Sequence, residues 1–240
     1  MTSWPIDHLL AFILVVVAPL LAHHDYRKFV RRVRDGIPGA RLREYRITLF
    51  VQWGLAAVLA GWWALAGRSW AALGITVPGG FRLLLGAGTA LIVVAFFGLQ
   101  WWTLVRLDEA GRESLRARVG SVGDLLPRTP PEARWFNALS LTAAICEETA
   151  YRGFLIWYFA RITGAWPAVV LVSVAFGIGH FYQGRAAILK TGLVGAFLGA
   201  LYLLGGSLLW PAVIHAVVDL QGGAMGRILV QEPEAVPPAS

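Results

Sequence analysis

The chain has 240 residues, of which 57% are hydrophobic and only 15% charged, and its mean hydropathy is +0.62. A soluble domain carries about 25% charged residues, so this composition excludes an ordinary soluble protein and predicts an all-α, polytopic transmembrane helix bundle. The net charge of +7 does not mark a nucleic-acid partner, because the basic residues lie between apolar segments, as in loops that meet an anionic leaflet.

The length leaves room for about seven spans of roughly 20 residues with short loops. A first span is predicted over 4–22, with Trp4 as an interfacial anchor. It has no basic stretch ahead of its apolar run, and Asp7 and His8 stand where a cleaved signal peptide carries lysines. Eight basic residues follow in 23–46: Arg27, Lys28, Arg31, Arg32, Arg34, Arg41, Arg43 and Arg46. Spans over 47–66 and 83–105 flank a loop with the turn signal Pro78-Gly79-Gly80. The polar segment 106–134 holds six arginines; its first half, to residue 119, is expected to extend the third helix into water. Leu125-Leu126-Pro127 and Pro130-Pro131 then break it.

Four more spans are expected over 135–160, 166–182, 188–204 and 208–229, with a disordered Pro-rich tail over 231–240. Residues 1–134 thus form an N-terminal three-helix part and 135–230 a four-helix core. Alternating spans put 17 of the 21 Lys and Arg on one side: those of 23–46 and 106–134, with Arg185, Lys190 and Arg227. That side is expected to be cytoplasmic and the N-terminus external, in a bacterial plasma membrane. The basic loops are expected to meet anionic lipids. Gly192, Gly195 and Gly199 share one helix face, which lets backbones approach closely in a membrane bundle.

Charge in the core is confined to a few residues. Between Trp135 and Val230 the acids are Glu147, Glu148 and Asp219, and the histidines are His180 and His215. Ionisable groups within lipid are expensive and mark functional sites by default. Glu148 and Arg152 are four apart and face each other on a helix, whereas Glu147 points about 100° away. The pair is expected to hold the helix in its bundle and to free Glu147. His215 and Asp219 are also four apart, so Asp219 either orients His215 or shares a ligand with it. Cys146, the single cysteine, excludes an intrachain disulfide and is expected to pack beside Glu147 rather than act as a nucleophile.

Glu147, Glu148, Arg152, His180, His215 and Asp219 together suit water activation. A carboxylate in low dielectric accepts a proton from water near neutral pH, and imidazoles stabilise an oxyanion or bind a metal. No His-Glu-x-x-His helix is present. A divalent ion such as zinc, if bound, would take His180, His215 and Glu147; the residues alone leave metal and glutamate chemistry both open.

Three stretches carry a family resemblance. They are Glu147-Glu148-Thr149-Ala150-Tyr151-Arg152, Phe176 to His180, and His215 to Asp219. In order and spacing they resemble the motifs of the CPBP family, the CAAX-protease and bacteriocin-processing intramembrane proteases, and the chain is similar to the type II CAAX prenyl endopeptidases. The resemblance covers about 135–230 and implies an endopeptidase cutting a membrane-embedded or lipid-linked protein or peptide precursor. It gives Glu147 the water-activating role, Glu148 and Arg152 the supporting role, and His180 and His215 the binding of water or the scissile carbonyl. Asp219 occupies the Asn/Asp position, and a glutamate-type mechanism without a required cofactor is favoured. The alternatives are a proton-coupled transporter and a non-catalytic scaffold or immunity protein.

One requirement follows. If the fourth span starts at Trp135, Glu147 lies about 18 Å along it, deeper than His180. The reading needs the two side chains to share a cavity.

Overall fold

A computed structural model describes residues 4–230, apart from the side chains of residues 4 and 118–121. The tail expected over 231–240 and the anchoring role of Trp4 lie outside the described residues. Those described form eight helices and no strand. They are α1 (Pro5–Arg34), α2 (Ala40–Leu65), α3 (Gly80–Val105), α4 (Glu109–Val119), α5 (130–163), α6 (Ala165–Gly179), α7 (Arg185–Gly205) and α8 (Leu209–Val230).

Five of these, α1, α2, α3, α7 and α8, are long and apolar enough to cross a membrane. The other two expected spans fall on α5, which carries the charged motif, and on α6, which is apolar but has only 15 residues. The expected span over 4–22 continues as helix to Arg34, and α2 starts at Ala40, so most of the first basic segment is helical.

The third helix does not extend into the polar segment as expected. It stops at Val105, and α4 starts afresh at Glu109 because the Asp108 carboxylate accepts a hydrogen bond from the Gly111 backbone N–H at 2.9 Å. This is an N-cap contact that nucleates a new helix. The prolines expected to break the chain also open the next element. Pro130 and Pro131 occupy the first turn of α5, behind a capping box of Thr129 and Glu132.

Helix α5 changes winding part-way. It is α-helical over Pro130–Glu147, π-helical over Glu148–Leu155 and α-helical again over Ile156–Thr163. Gly164 (φ 89°) then turns the chain directly into α6, a backbone conformation open to glycine. On α6, 15 residues span about 22 Å, less than the roughly 30 Å of a hydrocarbon core. The helix therefore stops at His180 short of a full crossing.

Helices α6 and α7 pack through glycines. A Cβ on Gly177 would lie 2.4 Å from the Ile188 carbonyl oxygen, and one on Gly199 would lie 2.8 Å from Val169. The shared face expected for Gly192, Gly195 and Gly199 is the face turned to α6. At the end remote from the basic segments, Leu10, Leu14, Trp63, Leu73, Phe154 and Val172 form the main buried core. There Asp7, fully buried, pairs with Arg68 at 2.6 Å and accepts a hydrogen bond from the Trp62 indole at 2.9 Å.

Gly177→Ala is expected to force α6 and α7 apart and to cost about 1–3 kcal/mol. Gly88→Ala on α3, where a Cβ meets nothing within 4 Å, is expected to be neutral or slightly stabilising; thermal unfolding in detergent micelles compares the two.

Candidate active site

The site is assembled on the π-helical stretch of α5. Glu148 and Arg152 are both buried, with side chains 1% exposed, and the guanidinium Nη1 donates to Glu148 Oε1 at 2.7 Å. Two isolated charges could not persist at such burial, so each depends on the other. Arg152 also donates from Nη2 to the Gly195 carbonyl on α7 at 3.4 Å and lies over the Phe176 ring, 4.4 Å from its centroid. A Cβ on Gly195 would meet both Phe176 and Arg152 within 3.5 Å. The small residue thus opens its carbonyl to the guanidinium.

The histidine of α8 joins the same cluster. His215 places Nδ1 2.8 Å from Glu148 Oε1 and Nε2 3.6 Å from Asp219 Oδ2. Both ring nitrogens are thus turned to carboxylates, and the imidazole links α8 to α5. Glu148, Arg152, His215 and Asp219 form one charged network that joins α5 to α8, and Arg152 extends it to α7.

Glu147 faces away from this network, as the helical rotation predicts. Its Oε2 lies 4.0 Å from His180 Nε2, and the two side chains are 20% and 18% exposed. The two side chains come within 4.0 Å of each other because α5 and α6 form a hairpin about Gly164. Glu147 lies 17 residues before that glycine and His180 lies 16 after it, so the two are level. The basic end of the helix contributes too: Arg46 of α2 stacks on Trp135, 4.6 Å from its ring centroid. That contact fits an interfacial position for Trp135, with the apolar part of α5 starting later.

The proton inventory of His180 is fixed by its neighbour. Nδ1 lies 2.8 Å from the Phe176 carbonyl oxygen, which can only accept, so Nδ1 carries a proton and the neutral ring has its lone pair on Nε2. The phenylalanine of the second motif therefore acts twice, through its ring on Arg152 and through its carbonyl on His180. Glu147 Oε2 is buried and has no hydrogen-bond partner among the described residues. Two acceptors, a carboxylate oxygen and an imidazole nitrogen, thus face each other 4.0 Å apart.

Among the described residues no group of three or more His, Cys, Asp or Glu is placed to hold a metal ion, since His215 is engaged by Glu148 and Asp219. Cys146 is buried beside the site, as expected.

One contact was not foreseen from the sequence. Gln52 of α2 donates from Nε2 to Glu147 Oε1 at 2.8 Å. Its signal was an amide in an otherwise apolar span, which costs free energy unless hydrogen-bonded.

Comparison with known families gives a match over residues 130–221. The matching family is the Rce1-like type II CAAX prenyl endopeptidases. It is the family type that the three motifs resemble, and all three motifs fall inside the matched segment. Neither the curated proteins nor the solved structures give a match. The family is one of proteases acting at membranes, and the apolar helices agree with a multi-pass membrane protein.

Arg152→Met is expected to leave the buried Glu148 without its guanidinium, with only the His215 imidazole against it, and to cost about 3–5 kcal/mol. Arg152→Lys keeps the charge but loses the fork that spans Glu148 and Gly195, so its loss should be smaller. Denaturant unfolding of the two variants in micelles measures the difference.

Proposed function

We propose that the protein is an intramembrane endopeptidase that hydrolyses a peptide bond of a membrane-associated protein with a glutamate-activated water. The observation that carries this reading is the approach of Glu147 to His180, 4.0 Å apart and both partly exposed, beside a glutamate that is locked in an ion pair. The separation is too long for a direct hydrogen bond but suits a water held between the two groups.

In this mechanism the water donates one hydrogen bond to Glu147 Oε2 and one to His180 Nε2, leaving a lone pair for the scissile carbonyl carbon. Glu147 takes the proton as the water oxygen forms the new C–O bond, and the carbonyl becomes a tetrahedral oxyanion. Collapse breaks the C–N bond, and Glu147 returns its proton to the departing amine. His180 holds the water, with Phe176 fixing its tautomer. Glu148, Arg152, His215 and Asp219 keep the helices in register around the attack point.

The substrate side follows from position. The site lies toward the basic end of the bundle, where Arg27, Lys28, Arg31, Arg43 and Arg46 suit an anionic cytoplasmic leaflet. A lipid-linked segment lying in that leaflet reaches the site without crossing the membrane. The type II CAAX prenyl endopeptidase match supports a prenylated protein as one substrate class.

The test uses purified protein in micelles with two internally quenched peptides, identical but for a farnesyl-cysteine near the C-terminus of one. Wild type is expected to cut the lipidated peptide. Glu147→Gln and His180→Ala are each expected to lose about 100- to 10,000-fold in turnover, and a divalent-metal chelator is expected to change nothing. Full turnover in Glu147→Gln, or loss of turnover with chelator, contradicts the mechanism.

A further inference from the structure

Gln52 lies outside the matched segment, on a helix to which no role was assigned, yet it touches the catalytic candidate directly. Its arrival opposite Glu147 is not incidental to packing, because α2 and the first half of α5 are held in register. Arg46 stacks on Trp135 and the Trp53 indole donates to Thr142 Oγ1 at 3.2 Å, while the Tyr45 hydroxyl ties α2 to the Leu125 carbonyl of the segment before α5. Gln52 is the step of this series that meets a carboxylate.

The geometry of the pair is directional. Gln52 Nε2 engages Glu147 Oε1 at 2.8 Å, and this leaves Oε2 as the oxygen that faces His180. A carboxylate held by one oxygen cannot turn freely about its terminal torsion, so the other oxygen keeps its aim. The amide's own Oε1 is buried and has no partner among the described residues. An unmet acceptor in a buried amide is costly, and beside a reaction centre it suits a donor that arrives with the substrate, such as a peptide N–H.

We propose that Gln52 is the positioning residue of Glu147: the N-terminal helices complete the active site by fixing, through one amide, which carboxylate oxygen faces the water. The proposal rests on the peptidase reading above and adds to it a requirement for α2. It makes the segment over 130–221 catalytically incomplete by itself, although that segment holds all three motifs.

The experiment has two arms, both on the full chain. In the first, the farnesylated quenched peptide is used to compare Gln52→Met, which keeps length and apolar volume but has no donor, with Trp53→Phe, which removes a neighbouring α2–α5 hydrogen bond. Gln52→Met is expected to lower kcat roughly 100-fold through misalignment of the base with KM little changed. Gln52→Asn should recover part of the loss, and Trp53→Phe should turn over like wild type. An equal fall in Gln52→Met and Trp53→Phe would assign Gln52 to packing and overturn the proposal, as would unchanged kcat in Gln52→Met.

The second arm needs no turnover. With ¹⁵N-glutamine labelling, the side-chain amide signal of Gln52, identified by its loss in Gln52→Met, is expected to shift in Glu147→Gln, where a neutral acceptor replaces a carboxylate. An unmoved signal overturns the contact itself. If wild type cuts neither peptide, the peptidase reading fails by the first arm, while the second still decides whether Gln52 holds Glu147.

Discussion

The structure depends on how a charge is kept inside an apolar bundle. Arg152 and Glu148 are each almost inaccessible to solvent, and neither is tolerable there alone. Their pairing would be weak as an isolated contact, but it is embedded in further ones: the Gly195 carbonyl, the Phe176 ring and the His215 imidazole. One guanidinium thereby draws α5, α6 and α7 together, and one carboxylate draws in α8. The π-helical winding of Glu148–Leu155 lies on this node, and such stretches recur at functional sites in α-helices. Glu147, the last residue before the change of winding, is left outside the node and available.

The second constraint is geometric. A short helix α6, turned back by Gly164, brings His180 to the level of Glu147. Glycine contacts between α6 and α7 let the backbones approach closely, with Gly177 against the Ile188 carbonyl and Gly199 against Val169. These contacts put Gly195 within reach of Arg152. Packing and electrostatics are therefore one arrangement here, since the small residues that bring the helices together also expose the carbonyl that the arginine uses.

Much of this was legible in the sequence because lipid makes the rules strict. The apolar composition pointed to a helix bundle, and the three acids between Trp135 and Val230 all fall in one network or beside it. The i, i+4 spacing of Glu148 with Arg152 and of His215 with Asp219 reported real proximity, and the Gly192, Gly195, Gly199 face reported real packing. Depth was harder to read. Counted from Trp135, Glu147 lay too deep for His180; counted outward from Gly164, the two are level, but only the tight turn reveals that glycine as the reference point. The break between α3 and α4 was missed because it depends on the Asp108 cap, a local hydrogen bond that periodicity does not register. The contacts of Gln52 with Glu147 and of Asp7 with Arg68 are long-range pairings between helices, for which a single sequence offers only the hint of a polar group in an apolar run.

The central claim is a division of labour between adjacent carboxylates, with Glu148 holding the fold and Glu147 free for chemistry. Thermal unfolding of Glu147→Gln beside Glu148→Gln, in the same micelles, tests it most directly. The account predicts that Glu147→Gln unfolds with the wild type, whereas Glu148→Gln, which uncouples Arg152 and His215, unfolds several degrees lower. Equal losses in the two variants, or a loss confined to Glu147→Gln, would contradict it.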